Sequence, residues 1–325
     1  MSVLATVIIF ILILFIYIQV NKNQFITEFN KSLAEYCASL PVPTYRREVF
    51  VPFENGVYQK DLAIALTDIS FNVSQANCSN ILPLPNPPGF NQQLRVEGID
   101  PFNKQPLMYA YIFWNKGMGW ACIAFTGTVL LTEWQSDLEY EQVAPTILNG
   151  YEDGVLVHKG FYGIYTAVRN ILWDWWNQNK SWMQSLFITG HSLGGGLSTI
   201  CAYDFADVFK EATAYENANN STTGPPHVFQ IPVHYSIAAP RSGNVKYAQI
   251  FNRRVPTSLR INNTEDLIPA VPPGSWRGWT YEQTGGNIPF TVSLGSLVDD
   301  HVNAYYYHLP LCAEVAPCHV DEESE

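Results

Sequence analysis

The chain has 325 residues, enough to bury one substantial core. Its formal net charge is −11 at pH 7, and no basic stripe interrupts the acidic balance, which excludes nucleic acid as a partner. Charged residues and aromatics each make up 14%, the reverse of the polar, aromatic-poor composition that keeps a chain disordered.

Residues 3–20, VLATVIIFILILFIYIQV, are an almost unbroken apolar run. As a helix the run would reach about 27 Å, close to the hydrocarbon thickness of a bilayer. It reads as an uncleaved transmembrane anchor or a cleaved signal peptide. Only Met1 and Ser2 precede it, and Ile18, Gln19, Val20 and Asn21 offer no Ala-x-Ala site, which favours the anchor. Lys22 and Glu28 are the nearest charges, so the positive-inside bias is weak and, taken literally, points the rest of the chain to the cytosol. Asn-x-Ser/Thr acceptors at Asn30, Asn72, Asn77, Asn179, Asn219, Asn220 and Asn262 argue for the lumenal or extracellular side. So do Cys37, Cys78, Cys312 and Cys318, which flank the core and suit disulfides in an oxidising compartment, with the pairing left open. Cys122 and Cys201 sit in apolar runs and read as buried free thiols.

The chain divides into an anchor or signal (1–21), a stalk and wrapping segment (22–105), a catalytic domain (106–318) and an acidic tail (319–325). The stretch 61–98, with LPLPNPPGF inside it, reads as loop wrapped around the core. Residues 108–114 and 120–125 are aromatic and β-branched around a Gly117-Met118-Gly119 turn, which predicts a hairpin. Over 158–179 a helical period places Phe161, Tyr165, Val168, Leu172 and Trp175 on one face. Residues 185–188 predict a buried strand, 193–209 a helix that begins with small residues, and 233–238 and 258–261 further strands. Strands alternating with helices predict an α/β sheet.

Gly190-His191-Ser192-Leu193-Gly194 is a G-x-S-x-G between a predicted strand and a predicted helix. In that context a sharp turn projects a serine into a site, and the flanking glycines avoid clashes that a Cβ would cause. A plain Gly-rich turn with a capping serine is the competing reading. A serine hydroxyl needs a general base, and the base needs an orienting carboxylate. In folds with this turn the acid and then the histidine follow the serine in the chain. His227, His234, His301, His308 and His319 are the available bases, since the side chain of His191 should turn away from Ser192. Asp266, at a strand end, is the favoured acid, with Glu265 its neighbour and rival.

Six segments carry a resemblance: AFTGT (124–128), VHKGFYGIY (157–165), FITGHSLGGGLSTI (187–200), AAPRSGN (238–244), RINNTEDLIPAVPP (260–273) and LVDDHVNAYY (297–306). In this order and spacing they resemble the class 3 lipases, the fungal-type triacylglycerol lipase family. The resemblance implies an α/β-hydrolase fold with a central, mostly parallel sheet, here preceded by the N-terminal helix. It implies Ser192 as nucleophile, Asp266 as acid and His301, in Asp-His-x-x-x-Tyr, as base, with His308 the runner-up. It places the oxyanion hole at the Leu193 N–H and at Thr128. Many relatives have Arg where this chain has Thr126, a flanking position. It also puts a lid over residues 129–138, where Val129, Leu130 and Trp134 share a helical side with Leu138. A core-packing helix would have the same period.

The implied activity is hydrolysis of lipid carboxylic esters, an acylglycerol lipase acting through an acyl-enzyme. Phospholipase A1 or another carboxylesterase on the same scaffold is the alternative, and a catalytically idle lipid-binding protein is a third reading. No metal or organic cofactor is needed, and the histidines and cysteines show no zinc spacing. The partners implied are a lipid ester and, through the N-terminal helix, a membrane.

Overall fold

The computed structural model describes residues 45–46, 57–79, 83–101, 104, 106–127, 140–207, 232–311 and 318–319. The N-terminal run, residues 22–44 of the stalk and residues 320–325 of the acidic tail lie outside these residues; among the described residues no helix is long and apolar enough to cross a membrane.

Among the described residues eight strands make one sheet in which spatial order follows chain order. They are β1 (Gln92–Ile99), β2 (Pro106–Asn115), β3 (Trp120–Phe125), β4 (Ser185–His191), β5 (Val233–Ile237), β6 (Ser258–Asn263), β7 (Gly286–Thr291) and β8 (Cys318–His319). The first three pair antiparallel, and every pairing from β3 to β8 is parallel. The β2–β3 hairpin turns at the Gly-Met-Gly predicted for it, with Gly119 at φ 71.

Among the described residues five α-helices accompany the sheet: α1 (Lys60–Ser79), α2 (Lys159–Asn179), α3 (Leu193–Phe205), α4 (Val245–Arg254) and α5 (Leu297–His301). Helices α2, α3 and α4 cover one face, where Ala121, Ile123, Phe125, Leu186 and Ile188 point. Helix α1 and the segment after α5 cover the other, which receives Cys122, Ala124, Phe187, Tyr235 and Ile261. Alternate residues of each central strand thus serve opposite layers, and a strand covered on both faces reads as continuous apolar sequence. The stripe read on α2 is buried as expected, and Cys122 and Cys201 are free and buried.

The expectation of loop over 61–98 is overturned, because α1 fills its first half and β1 its end. Amphipathic periodicity hid α1, since the helix is buried on nearly every side and carries polar residues inward. Thr67, Asp68, Ser70 and Asn72 are as buried as Leu62, Ile69 and Val73. The hydroxyls of Thr67 and Ser70 turn back onto the carbonyls of Ala63 and Leu66, so burial leaves them satisfied. Asp68 receives Arg46. Asn72 is 2% exposed, so this acceptor cannot carry a glycan in the folded chain.

Candidate active site

Strand β4 ends at His191 and α3 starts at Leu193, which leaves Ser192 alone on the turn at φ 59, ψ −126. A non-glycine residue held there costs about 1–3 kcal/mol and persists only where its surroundings over-determine it. Here they do. A Cβ on Gly190 would sit 2.1 Å from the Gly194 carbonyl oxygen, and one on Gly194 would sit 2.5 Å from that of Phe125. The turn therefore closes only with hydrogen at both positions, and the end of β3 presses directly on it. The Ser192 N–H donates to the Ile237 carbonyl at 2.9 Å, tying the turn to β5. The Leu193 N–H opens α3, where the first amides of a helix have no intrahelical acceptor.

Two further chain segments meet Ser192. His301 ends α5, with its Nε2 2.8 Å from Ser192 Oγ and its Nδ1 2.8 Å from Asp266 Oδ2. The carboxylate fixes the proton on Nδ1 and leaves the Nε2 lone pair for the serine hydroxyl. Asp266 lies in the loop after β6, its side chain 1% exposed. Its Oδ1 accepts the Ile268 N–H at 2.9 Å, and its Oδ2 also accepts the Tyr305 hydroxyl at 2.8 Å. Burial first, and then the neighbouring Asp266, push the Tyr305 hydroxyl well above its usual pKa, so it stays a donor.

Asn263, at the end of β6, staples the two loops. Its amide nitrogen donates to the carbonyls of Val292 and Asp300, and its amide oxygen accepts the Val292 N–H. The Tyr305 hydroxyl accepts the Asn263 N–H at 2.8 Å. Asp300 in turn accepts the Leu294 N–H. Side-chain hydrogen bonds therefore tie the end of β6 to the segments around His301.

The elbow has its own supports. His191 is buried, and its Nε2 lies 2.8 Å from the carbonyl oxygen of His301. Its ring packs 4.4 Å from Phe71 of α1 and 4.7 Å from the His301 ring, centroid to centroid. Burial, and then the nearby His301, hold its pKa well below the usual histidine value, so the ring is neutral. Ser74 of α1 accepts the Gly127 N–H at 2.7 Å, immediately before Thr128.

The sequence-predicted Ser192, Asp266, His301 and Leu193 thus come together. Thr128 and the lid residues Val129, Leu130 and Trp134 lie outside the described residues. Of the other histidines, His234 is locked between Ser198 and Ser258 on the far side of the elbow helix, and burial lowers its pKa to about 3. The Nδ1 of His308 is buried with no hydrogen-bond partner among the described residues. Glu265 is exposed beside the buried Asp266. No group of His, Cys, Asp and Glu among the described residues could hold a metal ion. Sequence reasoning missed Asn263, Tyr305, His191 and Ser74 as parts of the site. Only Tyr305 had left a signal, as the tyrosine of the Asp-His-x-x-x-Tyr pattern.

The arrangement can deliver a desolvated serine oxygen to a carbonyl carbon, with a base to take its proton and a helix terminus beside it. Comparison with known proteins agrees. Residues 122–276 match the family model for lipase (class 3). A chloroplastic phospholipase A(1) of Arabidopsis thaliana is 31% identical over 164 residues, 46% of this chain and 33% of that one. Phospholipase A1-II 3 of Oryza sativa subsp. indica is 29% identical over 185 residues, 50% of this chain and 41% of its own. The chain therefore spans a third to two fifths of the length of these relatives. In structure it is similar to Rhizomucor miehei lipase in its propeptide complex, at TM-score 0.52 and 19% identity over 80% of each chain. A triacylglycerol lipase from Penicillium expansum gives TM-score 0.50 at 16% identity, over 70% of this chain and 80% of that one. These two likenesses concern the fold.

Proposed function

We propose that the chain, whose residues 122–276 match the family model for lipase (class 3), hydrolyses carboxylic esters of lipids through a Ser192–His301–Asp266 triad. The observation that carries the reading is the unbroken 2.8 Å relay from Ser192 Oγ through both nitrogens of His301 to Asp266. Ser192 Oγ attacks the ester carbonyl carbon while His301 Nε2 takes its proton. Asp266 keeps the resulting imidazolium in place. The tetrahedral oxyanion is met by the Leu193 N–H, with Thr128 as the second donor. Collapse expels the alkoxy group, which leaves as the alcohol by taking from His301 the proton that came from Ser192, and an acyl-serine remains. Water activated by the same histidine then releases the fatty acid.

An acylglycerol is the first substrate reading. Hydrolysis of a phospholipid at its first acyl position is the second, because the aligned plant relatives are named phospholipases A1. A panel of triglyceride, phospholipid and short soluble esters separates them. A fluorophosphonate probe tests the reaction class itself, and an unlabelled wild-type protein would reject it. We also place the catalytic domain on the lumenal or extracellular side of a membrane, held by residues 3–20. That placement rests on the apolar run and the flanking cysteines. Carbonate extraction with N-terminal sequencing tests the anchor, and a product starting near residue 22 would mean cleavage.

A further inference from the structure

We propose that His191, the residue before the nucleophile, is a positioning residue that clamps the main chain of His301 over Ser192. The inference rests on the hydrolase reading above and adds to it a residue outside the triad.

His301 is poorly held by its own element. Helix α5 has only five residues; a loop precedes it, and the chain beyond it turns into a separate π-helical segment, Ala304–His308. A general base must nevertheless sit within about 2.6–3.2 Å of the proton it takes. The elbow supplies the missing restraint. His191 lies at the end of β4, in register with Ile237 of β5, so its backbone belongs to the sheet. Its ring is neutral, and its contact with a carbonyl oxygen fixes the proton on Nε2, because a carbonyl only accepts. The 2.8 Å bond to the His301 carbonyl then fixes the main chain of the base. Ser192 meets the side chain of that same residue at 2.8 Å. Two consecutive elbow residues thus hold one histidine at its backbone and at its ring. Phe71 packs against the His191 ring at 4.4 Å, and Tyr305 meets it edge-on at 5.9 Å.

The rival account is that His191 merely fills space between Phe71 and His301. The two accounts part over the Nε2–H. His191→Phe keeps a ring of similar size in the stack and loses the donor. His191→Gln loses the ring and keeps an N–H that reaches a similar distance from the backbone. A displacement near 1 Å can cost about 10²-fold in rate. For the clamp, kcat on a short soluble ester should fall by about that factor in His191→Phe, with KM changed less than about twofold. The rate of fluorophosphonate labelling of Ser192 should fall in parallel. His191→Gln should recover about tenfold or more of the lost kcat.

The measurements use the full chain, each variant matched to wild type by its melting transition. If His191→Phe does not fold, His191→Met, unbranched and without a donor, takes its place. A folded Phe or Met variant with kcat within about threefold of wild type overturns the clamp. So does a folded Gln variant no better than Phe, which would make the ring and not the donor the relevant feature. Either result leaves the triad standing. A wild-type protein that takes up no fluorophosphonate instead overturns the hydrolase reading, and the clamp with it.

Discussion

The two halves of the site are held by different physics. On the nucleophile side, backbone packs against backbone. Gly190 meets Gly194, Gly194 meets the ends of β3, and Ser192 is forced to φ 59. On the acid and base side, loops are joined by the side chains of Asn263, Tyr305 and Asp300. Steric closure tolerates no extra atom, because packed interiors have no slack. A network of hydrogen bonds can lose members one at a time, each contributing about 0.5–1.5 kcal/mol net. Outside the triad itself, substitutions in the first half should act all-or-none and those in the second by degrees.

The largest loss tests the apex of the rigid half. Ser192→Ala should lower ester hydrolysis by about 10⁴-fold or more while leaving the melting transition near wild type. Steady-state kinetics that retain a tenth of the activity would remove Ser192 as nucleophile. Asp266→Asn, in the networked half, should cost about 10³–10⁴-fold, since an amide no longer dictates which nitrogen of His301 carries the proton. Gly194→Ala should act through stability, because its Cβ would lie 2.5 Å from the Phe125 carbonyl oxygen and 2.7 Å from that of Thr126. A loss of about 2–4 kcal/mol in urea unfolding, or no folded product, is expected. An unchanged midpoint would show that the elbow can give way. Tyr305→Phe is the graded counterpart. It removes one donor to Asp266 and leaves the buried Asn263 N–H unpaired, for about 1–3 kcal/mol of stability and roughly tenfold in kcat. A 10³-fold loss would mean that the network is as brittle as the elbow.

The smallest effect concerns protons. His234 has its pKa lowered from 6.5 to about 3 by burial, so the native state keeps it neutral where the unfolded chain would protonate it. Its contribution is complete above about pH 6.5 and is lost as pH falls from there toward 3, because the unfolded state then binds the extra proton. Buried and neutral, His191 adds in the same direction. Unfolding midpoints should drop between pH 7.5 and pH 5, and His234→Asn should flatten that drop. An equal drop in the variant would assign the acid sensitivity elsewhere.

How far the sequence went follows the same division. The elbow was legible because its cause is local: a strand, four glycines and a helix start lie within a dozen residues. The hairpin turning at Gly117-Met118-Gly119, the stripe of α2 and the strands β4, β5 and β6 were legible for the same reason. Asp266 was favoured by its place at a strand end after Ser192, whereas His301 was reached through the family resemblance, since its meeting with Ser192 spans 109 residues of chain and leaves no local signature. Asn263 could not be read, because an asparagine at a strand end looks the same whether it faces solvent or joins two loops. Helix α1 failed for a sharper reason. Period reading needs a wet face, and α1 has almost none.

That helix also bears on where the protein can be cut. The family match begins at residue 122, yet α1, at Lys60–Ser79, covers much of one face of the sheet. A fragment trimmed to the matched stretch would bare Cys122, Ala124, Phe187 and Tyr235 to water, a contiguous greasy surface of the kind that draws chains into aggregates. It would also strip Ser74 from Gly127 and Phe71 from His191. Expression trials, chimeras and library designs should therefore place their N-terminal border ahead of residue 57, and treat α1 as part of the smallest transplantable unit.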